Sequence, residues 1–221
     1  MNLDEIPPLQ LVDIRGYSFD QFVAFVFDRE IASDSSRSWY WQIDVSFDPQ
    51  TLCGYYTQLF RQPEFLRDLY SVDQLEQGVW ALQSYCDFSV QRIFWDEELD
   101  FEQRAQLVRA MFELFAALFS HEPLDSAVFM WWDSLCYDWH CKNRMREKGG
   151  EDLLMQDVMF ETLSRILWLN SELCRGAALH GLGHLHHPLT ENLISEFLAK
   201  NPNVSNAMRS YAIAASKFEV M

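Results

Sequence analysis

The chain has 221 residues, 49% of them hydrophobic and 15% aromatic, enough to bury a substantial core in one large or two small domains. With only 8 glycines and 7 prolines it fits neither a turn-rich all-β fold nor a disordered chain. A formal net charge of −16, from 17 Lys+Arg against 33 Asp+Glu, opposes nucleic acid and anionic membrane as partners and suits a basic protein.

The charge is uneven. Residues 1–100 hold 18 acidic and 6 basic side chains, a net of −12, and the remainder a net of −4. The five cysteines (Cys53, Cys86, Cys136, Cys141, Cys174) are odd in number and form no CxxC pair. They read as small buried hydrophobes in a reducing compartment, so a cytoplasmic location is expected. The N-terminus lacks the basic and apolar regions of a signal peptide. The best apolar run, Met111 to Ser120, is too short to span a membrane and contains Glu113.

Residues 1–16 read as a loose acidic lead-in broken by Pro7-Pro8. Ser18 then caps a helix with Phe19, Phe22, Val23, Val26 and Phe27 at helical spacing. Residues 31–38 are a polar loop. From Trp39 to Phe47, apolar residues alternate with mostly polar ones, a strand signal without an evident partner strand. An extended aromatic segment lying across helices fits equally. Asp48-Pro49 opens a helix to about Arg61, Pro63 a short one to Tyr70, and Ser71 another with Leu75, Val79, Leu82 and Cys86 in one stripe. Residues 95–102 form an acidic junction.

Six helices are expected in the C-terminal half. The first carries Phe101, Ala105, Val108, Met111, Phe112, Phe115, Leu118 and Phe119 and ends at His121-Glu122-Pro123. The second turns Leu124, Ala127, Val128, Trp131, Trp132, Leu135 and Trp139 inward. After a basic loop at 142–150, the third buries Leu154, Val158, Leu163, Ile166 and Leu167. The fourth holds four of the six histidines and stops at Pro188, and two more run from Thr190 to Lys200 and from Val204 to Lys217. Paired as 101–141, 151–187 and 189–217, they have the length of helical-repeat units.

The histidine helix decides between two classes of function. With Ala178 at zero on a helical wheel, Leu182 and Leu185 fall within about 40° and define the core stripe. His180, His184 and His187 fall at about 200°, 240° and 180°, on the far side, and His186 on the flank. His180 and His184 have the i, i+4 spacing of zinc-binding helices. Gly181, however, stands where a zincin-type site needs its glutamate. His121, His140 or Cys141 would have to supply a further ligand. Gly181 and Gly183 weaken the helix by roughly 1 kcal/mol each and suit close approach of a neighbour. The expectation is a partly exposed repeat helix, with His180, His184 and His187 as secondary metal candidates.

Other catalytic patterns fail. Cys136 and Cys141 lie near His140 without an oxyanion turn, no GxSxG occurs, and Gly181-Leu-Gly183 does not follow a strand. The acidic run Asp96, Glu97, Glu98, Asp100 and Glu102 is the best docking surface, with Trp39 and Trp41 as aromatic anchors.

Two resemblances follow from these residues. Cys174-Arg-Gly-Ala-Ala-Leu-His-Gly-Leu-Gly-His-Leu, with Ile194-Ser-Glu-Phe-Leu and Ser210-Tyr-Ala-Ile-Ala-Ala behind it, resembles the helix pairs of HEAT-like repeat proteins over about residues 150–217. That likeness implies binding to macromolecules, not catalysis. The acidic, aromatic-rich helical character is similar to that of bacterial toxin-immunity proteins. The resulting expectation is all-α: a curved array of antiparallel helical hairpins at 101–221 behind a less regular acidic part at 1–100, in one continuous domain. Functionally it is a non-enzymatic module, without cofactor, that neutralises a basic toxin by occlusion. The alternatives are a metal-binding protein or hydrolase built on His180 and His184, and a structural scaffold subunit.

Overall fold

A computed structural model describes residues 9–31, 38–84 and 86–220. The expectations for Pro7-Pro8 and for most of the 31–38 loop lie outside these residues. The protein is mostly helical, and among the described residues no helix is long and apolar enough to cross a membrane.

The N-terminal part corrects two expectations. Gln10–Asp13 is a strand, β1, and not part of a loose lead-in. It pairs in parallel with β2, Ile43–Ser46, with Gln10 opposite Ile43 and Asp13 opposite Ser46. Trp39–Trp41, expected as the start of that strand, is instead a single 3-10 turn. A four-residue parallel strand leaves almost no periodic trace, so the partner of β2 was invisible in the pattern.

Between the strands lies α1, Phe19–Phe27. Ser18 caps it reciprocally: its hydroxyl accepts from Gln21 N at 3.3 Å, and its N–H donates to Gln21 Oε1 at 2.9 Å. The Asp48 cap starts α2, Pro49–Arg61, through a 2.8 Å bond from Thr51 N. A short α3, Leu66–Leu69, leads to α4, Val72–Gln83, which has a second capping box from Ser71 and Gln74. Cys86 falls beyond α4 but is buried. The sequence pattern missed α5, Val90–Phe94, whose five residues are too few to show a period.

The C-terminal helices come close to their expected bounds. They are α6 (Phe101–Leu114, extended by a π-helical turn at Phe115–Phe119), α7 (Asp125–His140), α8 (Gly150–Leu167), α9 (Glu172–Leu185), α10 (Thr190–Lys200) and α11 (Asn206–Ser216). Leu154 is not inward: it is 47% exposed, and the buried stripe of α8 runs through Met155, Val158, Met159, Leu163 and Ile166. Four cysteines are buried as expected, but Cys141 is exposed, and all five are free thiols.

The buried side chains form one cluster from Ile14 to Val220. Helices α8 and α9 pack together, as do α10 and α11. The expected pairing of α6 with α7 is different: α6 packs on α2 and α8, while α7 packs on α9 and α4. The buried arc of α7 is wide, about 200° from Ser134 and Ala127 through Val128, Trp131, Trp132, Leu135 and Trp139 to Cys136, so it can pack on α9 and on α4 at once.

Helix α9 is the centre of this half, enclosed by α7, α8 and α11. Every residue from Gly176 to Leu185 is buried, so the expected partly exposed helix is corrected. Its glycines explain how. A Cβ on Gly181 would sit 2.6 Å from Trp132 Cβ and 2.9 Å from Leu163 Cδ2, and one on Gly183 2.3 Å from Val220 Cγ2. Hydrogen at these positions lets α7, α8 and the C-terminal tail touch the α9 backbone. Gly181→Ala therefore reverses the usual helix-propensity gain. It is expected to destabilise by about 1–3 kcal/mol through overpacking against an atom bonded to the α7 backbone, measured as a lower denaturant midpoint.

Candidate functional site

The acidic run is split by the fold. A tight turn holds Asp96, Glu97 and Glu98: Asp96 N donates to Ile93 O at 3.1 Å, Glu98 N to Asp96 Oδ1 at 2.9 Å, and Leu99 N to Asp96 O at 3.2 Å. Leu99 is buried and anchors the turn, so the carboxylates around it face outward. Glu97, Glu98 and Asp100 are exposed and Asp96 half-exposed. Arg104, buried on α6, secures the turn by donating from Nε to Leu99 O at 3.1 Å and ion-pairing with Glu151 at 2.6 Å. Asp96 also lines a surface cleft of about 430 Å³ with Val45 and Phe47 of the β2 segment, Asp87, Arg92 and Ile93. The fold thus brings the strand region and the acidic turn together.

Glu102 does not belong to that surface. It accepts from Gln106 at 2.7 Å and from Arg109 at 3.0 Å, which hold its carboxyl below its ordinary pKa. It faces a separate cleft of about 590 Å³ between α2 and α6, with Gln58, Arg61 and Gln106. Trp39 is likewise no free anchor. It is half-buried, stacked on Phe88 with centroids 5.8 Å apart, edge-on to Phe25 at 5.2 Å and covered by the Arg29 guanidinium at 4.4 Å. Trp41 is 44% exposed, and Leu11 on β1 is 67% exposed.

A second constellation lies between α7 and α9. Asp133 on α7 and His180 and His184 on α9 offer donor atoms all within 4.8 Å of one another. Asp133 Oδ1 is 3.2 Å from Nε2 of each imidazole. Both histidines are buried, whereas the Asp133 side chain is 29% exposed. On its other side His180 Nδ1 is 2.6 Å from the Tyr211 hydroxyl of α11. His184 differs: its Nε2 is close to Asp133 but off the direction a hydrogen bond needs, and among the described residues neither of its ring nitrogens has a partner. His140, seven residues after Asp133, presents its ring edge-to-face to His184 at 4.8 Å, and its buried Nδ1 also lacks a partner among the described residues.

The electrostatics follow from these contacts. The His180 hydrogen bond, with the His184 imidazole close beside it, holds the Asp133 carboxyl well below the usual range against the opposing effect of burial. Burial, then the Asp133 charge, pushes the Tyr211 hydroxyl up to about 12, so it stays protonated.

His187 stands apart from this centre. Leu189 N donates to its Nδ1 at 3.2 Å, so Nε2 carries the proton and donates to Asp157 at 3.0 Å. The ring stacks on Phe160 at 4.0 Å. Both nitrogens are used in closing the end of α9, which removes His187 from the metal candidates. Burial lowers its pKa, outweighing the Asp157 contact. A base with a depressed folded pKa stabilises the protein above its unfolded pKa, about 6.5, and that stability is lost as pH falls. Thermal stability is therefore expected to drop from about pH 7 to about pH 5, with a shallower slope in His187→Gln. Equal slopes in the two proteins would refute this.

Sequence reasoning found His180 and His184 but placed them on a face away from the core. It missed Asp133 and Tyr211 as their partners. The only trace was the i, i+7 spacing of Asp133 and His140 on α7, which puts both on one face. Neither His121 nor Cys141 joins the group; the carboxylate is Asp133. Comparison with protein-family models, with curated proteins and with solved structures finds no match for this chain.

Proposed function

We propose that this chain is an acidic protein-binding module that takes up a basic protein, above all a toxin domain, and neutralises it by occlusion. The observation that carries the reading is electrostatic. Asp96, Glu97, Glu98 and Asp100 stand together at the surface, and among the described residues none of them has an ion-pair partner. Many cations are meanwhile committed inside the chain, for example Arg144 to Asp152 at 2.8 Å and Arg165 to Glu113 at 3.5 Å. Carboxylates without counter-charges steer a basic partner and raise its association rate. The half-buried Phe47 in the cleft beside the turn and the exposed Trp41 offer apolar contact that slows dissociation. In this reading the packed pairs α8–α9 and α10–α11 are units of a HEAT-like array that supports the docking face.

The test begins with co-purification from the native host. A single basic protein in a defined complex is expected, whereas a multi-component assembly would favour a scaffold subunit instead. With that partner in hand, the triple change Asp96→Lys, Glu97→Lys, Glu98→Lys is expected to lower the association rate about tenfold or more and to flatten its salt dependence. Trp41→Ala is expected mainly to speed dissociation. Unchanged rates and salt slope in the triple variant would show that this surface does not bind the partner.

A further inference from the structure

We propose that Asp133, His180 and His184 bind one divalent transition-metal ion, zinc by preference, between α7 and α9. The distances fit. Two ligands each about 2.0 Å from a tetrahedral zinc ion lie about 3.3 Å apart. The Asp133 Oδ1 to Nε2 separations are 3.2 Å for both histidines. The remaining separation, between the two imidazole nitrogens, is within 4.8 Å, and a turn of the two rings toward Asp133 brings all three donors onto one ion.

The state of His184 points the same way independently of distance. It is buried, and among the described residues both ring nitrogens are unpartnered, an expensive arrangement for a polar group shielded from solvent. An ion at Nε2 satisfies the side chain there. His180 is already oriented to bind the same ion. Its Nδ1 meets the Tyr211 hydroxyl at 2.6 Å, the kind of outer partner that fixes the ring of a metal-bound histidine. The i, i+4 spacing on a helix enclosed by α7, α8 and α11 keeps both imidazoles on one face.

The donor set decides the class of ion. Two imidazole nitrogens and one carboxylate suit zinc and its neighbours, while calcium and magnesium require oxygen ligands. The exposed edge of Asp133 provides the entry route. Three protein ligands leave one position open, with the His140 ring alongside. The ion ties α7 to α9, the two helices at the centre of the C-terminal half. The metal centre does not depend on the docking surface, and either stands if the other fails.

The experiment uses the whole chain, purified without a polyhistidine tag, stripped with chelator and titrated with Zn²⁺ and with Co²⁺. Expected are one bound ion per chain, a Co²⁺ visible spectrum of a nitrogen- and oxygen-ligated site, and a thermal midpoint that rises with added Zn²⁺. Asp133→Asn and His184→Gln are expected to lose stoichiometric binding, and Tyr211→Phe to weaken it roughly 10–100-fold as a change in the outer partner of His180. Circular dichroism and thermal unfolding of the metal-free variants distinguish loss of the site from loss of the fold. Because Asp133 is partly exposed, its variant is the more tolerant of the two. Cys141→Ser and His121→Ala, which lie outside the cluster, are expected to bind as the parent does. Absence of a stoichiometric ion in the parent, or undiminished binding in folded Asp133→Asn, would overturn the proposal.

Discussion

Trp132→Ala is expected to destabilise the protein by about 3–5 kcal/mol, among the largest single costs available in this fold. Trp132 is fully buried on α7. Its Cβ faces the Gly181 backbone of α9, and its ring lies 6.4 Å from that of Phe115. Truncation removes that apolar surface and leaves a cavity at the contact between α7 and α9. The surroundings are poorly placed to collapse into it, because Gly181 carries no side chain to fill the gap. At this chain length each kcal/mol corresponds to about 2–4 °C, so the thermal midpoint should fall by roughly 6–20 °C. Asp133 and His180 lie beside the same contact, so the variant should also loosen the histidine centre. A shift of under about 2 °C would mean that α7 and α9 do not pack as described.

Arg104→Met is the second large effect and links stability to the docking surface. The guanidinium is buried and reaches both Leu99 O, at the base of the acidic turn, and Glu151 on α8. Glu151 is 54% exposed, so its ion pair is screened and contributes little. Most of the cost comes from the Leu99 carbonyl, which loses a charged donor, for about 1.5–3 kcal/mol. The methionine keeps part of the apolar stem packed. The turn at 96–99 then loses its tie to α6, so amide exchange in the turn should rise more than in α6 itself. Association with a basic partner should slow although no surface charge has changed. Uniform exchange across turn and helix, with unchanged association, would show that Arg104 does not position the turn.

Among the helices that the sequence made legible, α1, α2 and α4 combine solvent on one side with a capping residue at the start. Ser18, Asp48 and Ser71 announced α1, α2 and α4, and each accepts the expected backbone N–H. Legibility failed where that contrast was missing. Helix α9 is covered on several sides, so its wheel suggested a core stripe and an exposed face that do not exist. The small residues read as a sign of close approach were the truer signal, because Gly181 and Gly183 are where neighbours touch the backbone. The acidic run looked like one surface, but Glu102 lies in the first turn of α6 and faces α2 instead.

Sequence alone determined what is local or summed along the chain: the mostly helical fold, the acidic excess in the first hundred residues and the capped starts of the early helices. These depend on nearest neighbours and on composition. Tertiary structure alone decided which distant residues meet. Asp133 reaches His180 across 47 positions, and β1 finds β2 across 33. No local period encodes such pairings, because they arise from which faces of α4, α7, α9 and α11 can be buried together. The histidines illustrate the division: their spacing was plain in the sequence, but only packing revealed that they are buried, and that a carboxylate and a phenol meet them there.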